Sequence, residues 1–259
     1  MTHEDLSSLR AFASELAYLA GRVTLRYFQT NVGVELKEDN SPVTIADRQA
    51  ERVMRELIEQ RYPQHSILGE EEGETRPGAS FRWILDPIDG TKSFVAGVPM
   101  YTVLVGLERE GVPVVGAVAI PPSNELITAA IGQGCLWNGR SARASTTTSL
   151  AQAVISTTDV QHMYENNKGP AFDRLRSRAK MVRGWGDAYG HMLVATGRID
   201  VMLDALMSPW DCGALVPILH EAGATFTDWN GITTIYGGNA ISTNGILFDQ
   251  VMQTIRDEA

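Results

Sequence analysis

The order of helical and strand-like patterns along the chain is the feature that most limits its fold. Apolar residues recur at helical spacing over residues 6–27, and a second helix is predicted from Thr44 to just before Pro63. Four strand-like runs follow, at 81–85, 101–107, Val112–Ile120 and 126–131. Because helices come first and a run of strands follows, the pattern predicts an α/β or α+β fold of stacked layers.

The second half of the chain alternates between the two patterns. Strands are predicted near 154–156, 199–203 and 225–228, and helices near 187–196, 212–222 and from Leu247 onwards. We predict a single catalytic unit over residues 1–259, made of two soft subdomains, 1–145 and 146–259, that meet near 143–150.

Composition and charge exclude several classes of protein. With 259 residues and 44% hydrophobic content the chain can bury a large core, and its apolar runs are too short to cross a bilayer. A formal charge of −9 argues against nucleic acid or an anionic membrane as partner. Glu4 and Asp5 stand where a signal leader would be basic, and two cysteines give no disulfide framework, so Cys135 and Cys212 are predicted to be free thiols of a cytoplasmic protein.

Two carboxylates directly follow the first strand-like run. Asp86 and Asp89 at a strand end can converge on one cation, and the Ile88 carbonyl can add a further oxygen ligand. Gly90 and Thr91 come next, and their N–H groups can hold an anion if a helix begins there. The alternative is an ordinary turn, because Asp, Pro and Gly are common turn residues.

Two other acidic sites favour the metal interpretation. Glu70 and Glu71 follow a short apolar run, and Asp211 precedes a predicted helix. Each has a simpler explanation as well: Asp211 could be a helix cap, and Glu72 and Glu74 are interpreted as part of a solvated face.

Taken together, these segments carry a family resemblance. Gly-Glu-Glu at 69–71, Asp-Pro-Ile-Asp-Gly-Thr at 86–91 and Trp-Asp at 210–211 occur in the order of the inositol monophosphatase superfamily, which the chain resembles. Ser-Pro-Val-Thr at 41–44 and Glu-Ala-Gly-Ala at 221–224 extend the similarity over most of the chain. The resemblance implies a layered αβαβα fold, a homodimer and a Mg²⁺-dependent phosphatase that acts on a small phosphomonoester, with two or more ions in each site.

The resemblance also implies the roles of individual residues. The implied metal ligands are Glu70, Asp86, the Ile88 carbonyl, Asp89 and Asp211. Gly90 and Thr91 would bind the phosphate. Glu70, with the Thr91 hydroxyl and Asp47 behind it, would orient and deprotonate the attacking water.

Two further segments are similar to the histidinol-phosphate phosphatase branch of the superfamily. Lys92 and Ser93 follow the Asp-Gly-Thr motif, and Gly-Asp-Ala-Tyr-Gly stands at 186–190. Asp187, Asp204 and Arg183 are the predicted substrate contacts, although Asp187 could instead be a plain helix N-cap.

Several alternatives stay open on the sequence. Within the enzyme class these are an inositol or other sugar monophosphatase and a nucleotide 3′-phosphatase, and outside it a divalent-cation-binding scaffold without turnover. The histidines lack a zinc spacing, and only His162 and His191 are allowed a chance of touching the substrate.

Overall fold

A computed structural model describes residues 5–37 and 42–256 of the chain. Most of the polar loop between the first two predicted helices, including Ser41, lies outside the described residues. The helices of the described part are α1 Leu6–Thr24, α2 Ile45–Arg61, α3 Thr91–Val95, α4 Val160–Glu165, α5 Gly169–Arg178, α6 Asp187–Ala195, α7 Pro209–Cys212, α8 Leu215–Glu221 and α9 Phe248–Arg256.

Strands make up the rest of the regular structure. They are β1 Val34–Leu36, β2 Pro42–Thr44, β3 Ser66–Gly69, β4 Gly73–Thr75, β5 Phe81–Asp89, β6 Thr102–Arg109, β7 Val112–Ile120, β8 Glu125–Ala130, β9 Cys135–Trp137, β10 Arg140–Ser141, β11 Val154–Thr157, β12 Met181–Arg183, β13 Val201–Asp204, β14 Thr225–Thr227 and β15 Ala240–Thr243. Short 3₁₀ turns lie at Pro121–Ser123 and Leu150–Gln152.

The strands form two large sheets and one small one. An eight-stranded sheet has the order β10-β9-β8-β7-β6-β5-β3-β4 and is antiparallel except for the β3 and β5 pair. A five-stranded sheet has the order β12-β11-β13-β15-β14, in which β11 is parallel to both of its neighbours. β1 and β2 pair separately.

Three apolar clusters connect these sheets to layers of helices. α1 and α2 cover one face of the eight-stranded sheet, for example through Leu16 and Met54 against Trp83. α6 and α8 fill the space between the two sheets, and α5 and α9 cover the far face of the five-stranded sheet. The layered αβαβα architecture predicted from the sequence is confirmed.

Local sequence explains the first two helices. Asp5 caps α1 by accepting from the Ser7 N–H, and Thr44 and Asp47 form a capping box at the start of α2. α1 ends at Thr24, a turn earlier than the apolar pattern suggested, since the residues up to Tyr27 form hydrogen-bonded turns instead.

The helix predicted over 212–222 corresponds to α8, which begins only at Leu215 because Gly213 and Ala214 separate it from the short helix α7. The connection between the two helices lies directly on the eight-stranded sheet, where a Cβ at Gly106 would overlap the Gly213 carbonyl group and one at Gly116 the Ala214 carbonyl oxygen. This close approach, made possible by two glycines in β6 and β7, carries α7 to the end of β5.

Cys135 and Cys212 are free and buried, as predicted. Among the described helices, none combines the length and the apolarity needed to pass through a membrane.

Candidate active site

A bulge at the end of β5 brings two carboxylates to one place. The pairing of β5 with β6 shifts register between Asp86 and Asp89, where Pro87 interrupts the ladder. Asp86 Oδ1 accepts from the Ile88 N–H at 3.0 Å. Asp89 Oδ2 accepts from the Thr102 hydroxyl at 3.1 Å and from the Ala188 N–H at 2.7 Å, which ties it to the start of α6.

The short helix α7 adds the third carboxylate. Asp211 is the third residue of a capping box, and its Oδ2 accepts from the Ser208 N–H at 2.7 Å. One oxygen of Asp211, one of Asp86 and one of Asp89 all lie within 4.8 Å of one another. The cap interpretation of Asp211 is therefore correct and incomplete, since the same carboxylate also joins the cluster.

Burial and mutual repulsion dominate the electrostatics of this carboxylate cluster. Asp86 is 1% exposed and Asp89 is 8% exposed. Burial raises the pKa of both carboxyl groups well above the ordinary value. The next largest cause is the negative charge of Glu70 for Asp86 and that of Asp187 for Asp89, and each raises the pKa further. Burial raises the pKa of Asp211 to about 7. In the described part of the chain no lysine, arginine or histidine forms an ion pair with any of the three. Two buried carboxylates and the half-buried Asp211, which offer oxygen ligands only and have no protein cation beside them, fit a hard divalent ion such as Mg²⁺.

The structure places Glu70 beside the cluster, but a lysine engages it. Lys37 Nζ lies 2.8 Å from Glu70 Oε1 and 2.7 Å from Glu71 Oε1. Burial lowers the pKa of Lys37, but the hydrogen bonds to Glu70 and Glu71 outweigh it and the pKa rises above its usual range. Burial raises the pKa of Glu71 to about 7 against the opposing effect of Lys37. The ammonium group of Lys37 therefore balances the negative charge of Glu70 and Glu71, which lie outside the cluster of three aspartates.

Thr91 and Asp47, the predicted partners of Glu70, have separate hydrogen bonds. The Thr91 hydroxyl donates to the Ile88 carbonyl at 2.9 Å. Asp47 Oδ2 accepts from the N–H and the hydroxyl of Thr44, and Asp47 Oδ1 is buried without a hydrogen-bond partner in the described chain. Burial raises the pKa of Asp47 to about 6, and the charge of Glu70 adds to the shift.

Asp187 lies next to the predicted phosphate-binding residues. A Cβ added to Gly90, whose φ is +81°, would lie 2.9 Å from Asp187 Oδ2. Asp187 itself has φ +57°, an uncommon value for a residue other than glycine, and its N–H donates to the Thr158 hydroxyl at 2.7 Å. The N-cap of α6 is Gly186 and no side chain caps the helix, so the alternative that Asp187 is a plain cap is wrong.

Charge surrounds Asp187 on several sides. Burial raises its pKa to about 7, the charge of Asp204 adds to the shift, and Lys92 opposes it. Asp204 is 4% exposed, and its Oδ2 bonds His191 Nε2 at 3.0 Å, while His191 Nδ1 bonds the Ser242 hydroxyl at 2.6 Å.

The remaining candidates lie further out. Arg183 ends the edge strand β12 with an exposed side chain that donates to the Val182 carbonyl. His162 lies on α4 with Nε2 3.8 Å from an oxygen of Asp159, and His191 is fully buried. Their predicted contacts with substrate stay predictions.

Sequence reasoning missed two contacts of this region. It gave Lys37 no role, because the ion pair with Glu70 joins two segments that are distant in sequence. The family resemblance implies that the Ser-Thr-Thr segment at 156–158 lies near the ligand, but spacing alone does not show the bond of Thr158 to Asp187, which depends on how β11 and α6 meet.

The chain is similar to known proteins over most of its length. The profile of the inositol monophosphatase family matches residues 5–257. A histidinol-phosphatase of Chlorobaculum parvum is 42% identical over 230 residues, which cover 88% of this chain and 89% of the relative. An inositol-1-monophosphatase of Rhizobium meliloti is 35% identical over 93% of this chain and 91% of the relative.

Among solved structures, the extragenic suppressor protein SuhB of Bartonella henselae superposes with a TM-score of 0.90 at 28% identity, covering 97% of this chain and all of that one. Fold and site thus define a phosphoric monoester hydrolase. The chain belongs to the inositol monophosphatase family.

Proposed function

We propose that this hydrolase releases phosphate from L-histidinol phosphate and that it requires Mg²⁺. The choice of substrate rests on the position of Asp187, whose carboxylate lies against Gly90 in the segment proposed to hold the phosphate. Histidinol phosphate has an ammonium group on the carbon next to its ester CH₂. A carboxylate beside the phosphate cradle suits such a 2-amino alkyl phosphate, whereas it would only repel the phosphate of an uncharged alcohol ester.

The proposed ligands for two or more Mg²⁺ ions are Glu70, Asp86, the Ile88 carbonyl, Asp89 and Asp211. The metal would polarise the phosphoryl group and make a water nucleophilic near neutral pH. The uncompensated charge of the aspartate cluster supports this assignment for the three aspartates, whereas the Glu70 carboxylate is paired with Lys37.

The residues of the chain orient the reactants. The first N–H groups of α3, which begins at Thr91 after Gly90, lack partners within the helix and would hold the phosphate oxygens. Glu70 would accept the proton of the attacking water. The free Oδ1 of Asp47 is an acceptor that the Thr91 hydroxyl could use in place of the Ile88 carbonyl.

The far end of the substrate would meet Asp204 and Arg183. Asp204 adds negative charge behind Asp187, and His191 fixes its carboxylate. The name of the Chlorobaculum relative supports histidinol phosphate, while that of the Rhizobium relative supports inositol phosphate, which remains the second candidate.

Selectivity decides between the two candidates. We expect the chain to release phosphate from L-histidinol phosphate with higher kcat/KM than from inositol 1-phosphate, and to lose activity on both after chelation of divalent cations. Equal or inverted preference in the wild type would refute the histidinol assignment, and unchanged turnover in chelator would refute the metal.

A variant tests the role of Asp187 separately. Asp187→Asn should cut the preference for histidinol phosphate over its analogue without the amino group by about tenfold, because a charge-assisted hydrogen bond contributes roughly 1.5–3 kcal/mol. Asp173→Asn is the matched control and should leave the ratio unchanged, because Asp173 is a half-buried residue of α5 that pairs with Arg176 outside the site. The same ratio in Asp187→Asn as in the wild type would remove Asp187 from the substrate site.

The family resemblance also supports a cytoplasmic location and a homodimer. Light scattering after gel filtration tests the oligomeric state. The two soft subdomains stay a prediction as well.

A further inference from the structure

A buried ion pair holds the turn that carries Glu70. Glu51 of α2 is fully buried, and its Oε2 accepts from the Glu71 N–H at 2.8 Å while its Oε1 accepts from the Glu72 N–H at 3.0 Å. Arg55, one helical turn later, donates from Nε to Glu51 Oε1 at 2.8 Å and from Nη2 to the Gly73 carbonyl. One carboxylate and one guanidinium therefore bind three consecutive residues of the turn between β3 and β4.

The preceding strand, β3, leaves room for Glu51 and Arg55, which together form a clamp on the turn. A Cβ at Gly69 would overlap the Glu51 carboxylate and crowd the Arg55 guanidinium. On the other side, the Glu70 N–H donates to the Leu85 carbonyl at 3.2 Å, which continues the pairing of β3 with β5. The backbone of Glu70 is thus fixed on both sides: its own N–H bonds to β5, the strand that carries Asp86, and the next two residues bond to Glu51.

Glu51 differs from the carboxylates of the site in how its charge is balanced. Two N–H groups and one guanidinium satisfy its oxygens, so it has no need of a metal ion. Its contribution to the site runs through the backbone of the turn.

We infer that Glu51, supported by Arg55, is a positioning residue for Glu70: it fixes the turn so that the Glu70 carboxylate faces the aspartate cluster. The inference rests on the metal and water role proposed above for Glu70. Residues that orient metal ligands typically contribute about 10- to 100-fold to metal affinity or activity. Glu51 is thus expected to affect metal binding without contact to either metal or substrate.

The test measures Mn²⁺ binding by electron paramagnetic resonance in the absence of substrate, together with kcat and KM at saturating Mg²⁺. Glu51→Gln loses the charge of the clamp, and Glu51→Asp keeps the charge but withdraws the carboxylate by one methylene. Both should weaken Mn²⁺ binding by about tenfold or more and lower kcat, with little change in KM. Glu56→Gln is the matched control on the same helix, because Glu56 pairs with Arg52 in solvent and should bind Mn²⁺ as the wild type does.

The possible outcomes are distinguishable. Wild-type Mn²⁺ affinity in folded Glu51→Gln overturns the inference, and weakened binding in Glu51→Gln with wild-type binding in Glu51→Asp overturns it too, since charge alone would then suffice. If Glu51→Gln does not fold, Arg55→Lys replaces it, because this variant keeps the positive charge and removes the guanidinium fork. Arg55→Lys should also weaken Mn²⁺ binding. Wild-type Mn²⁺ affinity in Arg55→Lys would refute the positioning role. Glu70→Gln in the same series separates the two hypotheses, because unchanged Mn²⁺ affinity in that variant would refute the ligand role of Glu70 itself.

Discussion

Buried carboxylates lie at both ends of β5, one of them on the neighbouring strand β6, and their charges are balanced in opposite ways. At its start, Arg82 donates from Nε to Glu108 of β6 at 3.0 Å, and the Tyr236 hydroxyl donates to the other oxygen of Glu108 at 2.8 Å. At its end, Asp86 and Asp89 meet Asp211 and no side-chain cation of the described residues. Glu108 and Asp86 are each 1% exposed, so burial alone does not distinguish the two ends.

The difference lies in compensation of charge. A carboxylate removed from water is costly unless it is paired and hydrogen-bonded, and Glu108 has both kinds of partner. The three aspartates have neutral hydrogen-bond donors but no opposite charge, and they also repel one another. The compensated end of the strand therefore stabilises the fold, whereas the uncompensated end reserves a place for a cation at a cost in stability.

The largest effect is expected at the uncompensated end. Asp211→Asn should lower kcat/KM by about a thousandfold, because a bound metal contributes several kcal/mol to the transition state and tenfold in rate corresponds to about 1.4 kcal/mol. The melting temperature of the metal-free protein should rise, since one repelling charge is gone while the Asn oxygen can still accept from the Ser208 N–H. Phosphate release and thermal unfolding with and without Mg²⁺ measure both. Near-normal turnover of Asp211→Asn at saturating Mg²⁺ would show that Asp211 is not a ligand.

A smaller and opposite effect is expected at the compensated end. Glu108→Gln leaves the Arg82 guanidinium without its ionic partner and should lower the free energy of unfolding by up to about 3 kcal/mol, less than for a fully buried pair because Arg82 is 25% exposed. Activity per folded molecule should not change. Urea unfolding followed by kinetics on the same sample checks both points, and a variant of normal stability with reduced kcat would contradict the contrast between the two ends.

Local turn chemistry made part of the fold predictable. The hairpin between β6 and β7 turns at Glu110 and Gly111, both with positive φ, and a glycine in the short gap between two strand-like runs predicts such a turn. The break between α7 and α8 was not predictable, since it depends on Gly106 and Gly116 in strands far away in sequence. α4, α5 and β12 were also missed.

The candidate site also contains residues that the sequence predicts and contacts that it does not. The motifs name Asp86, Asp89 and Asp211 because strand ends and a helix cap leave readable patterns. The Lys37 ion pair with Glu70 and the left-handed backbone of Asp187 leave none, since each depends on a contact between distant segments. The role of Asp187 in selectivity stays a prediction for the Asp187→Asn variant.

The smallest effect expected is a dependence of metal-free stability on pH, and it also separates the two ends of β5. Burial raises the pKa of Asp211 to about 7, whereas an unfolded Asp titrates near 3.8. The folded protein therefore holds a proton that the unfolded chain releases in this window, so the stabilising contribution is full below about pH 4 and is lost as the pH rises through about 7.

Because neighbouring carboxylates share protons, we expect a shift of only a few degrees. In chelator, the melting temperature of the wild type should fall from pH 5 to pH 8 relative to Asp211→Asn, which has no such proton to lose. Glu108→Gln should keep the slope of the wild type, since it leaves the aspartate cluster intact. Thermal unfolding in chelator at several pH values measures all three proteins, and parallel curves for the wild type and Asp211→Asn would show that Asp211 does not hold a proton of its own in the folded state. Added Mg²⁺ should raise the wild-type melting temperature more at pH 8 than at pH 5, because the ion competes with protons for the same oxygens.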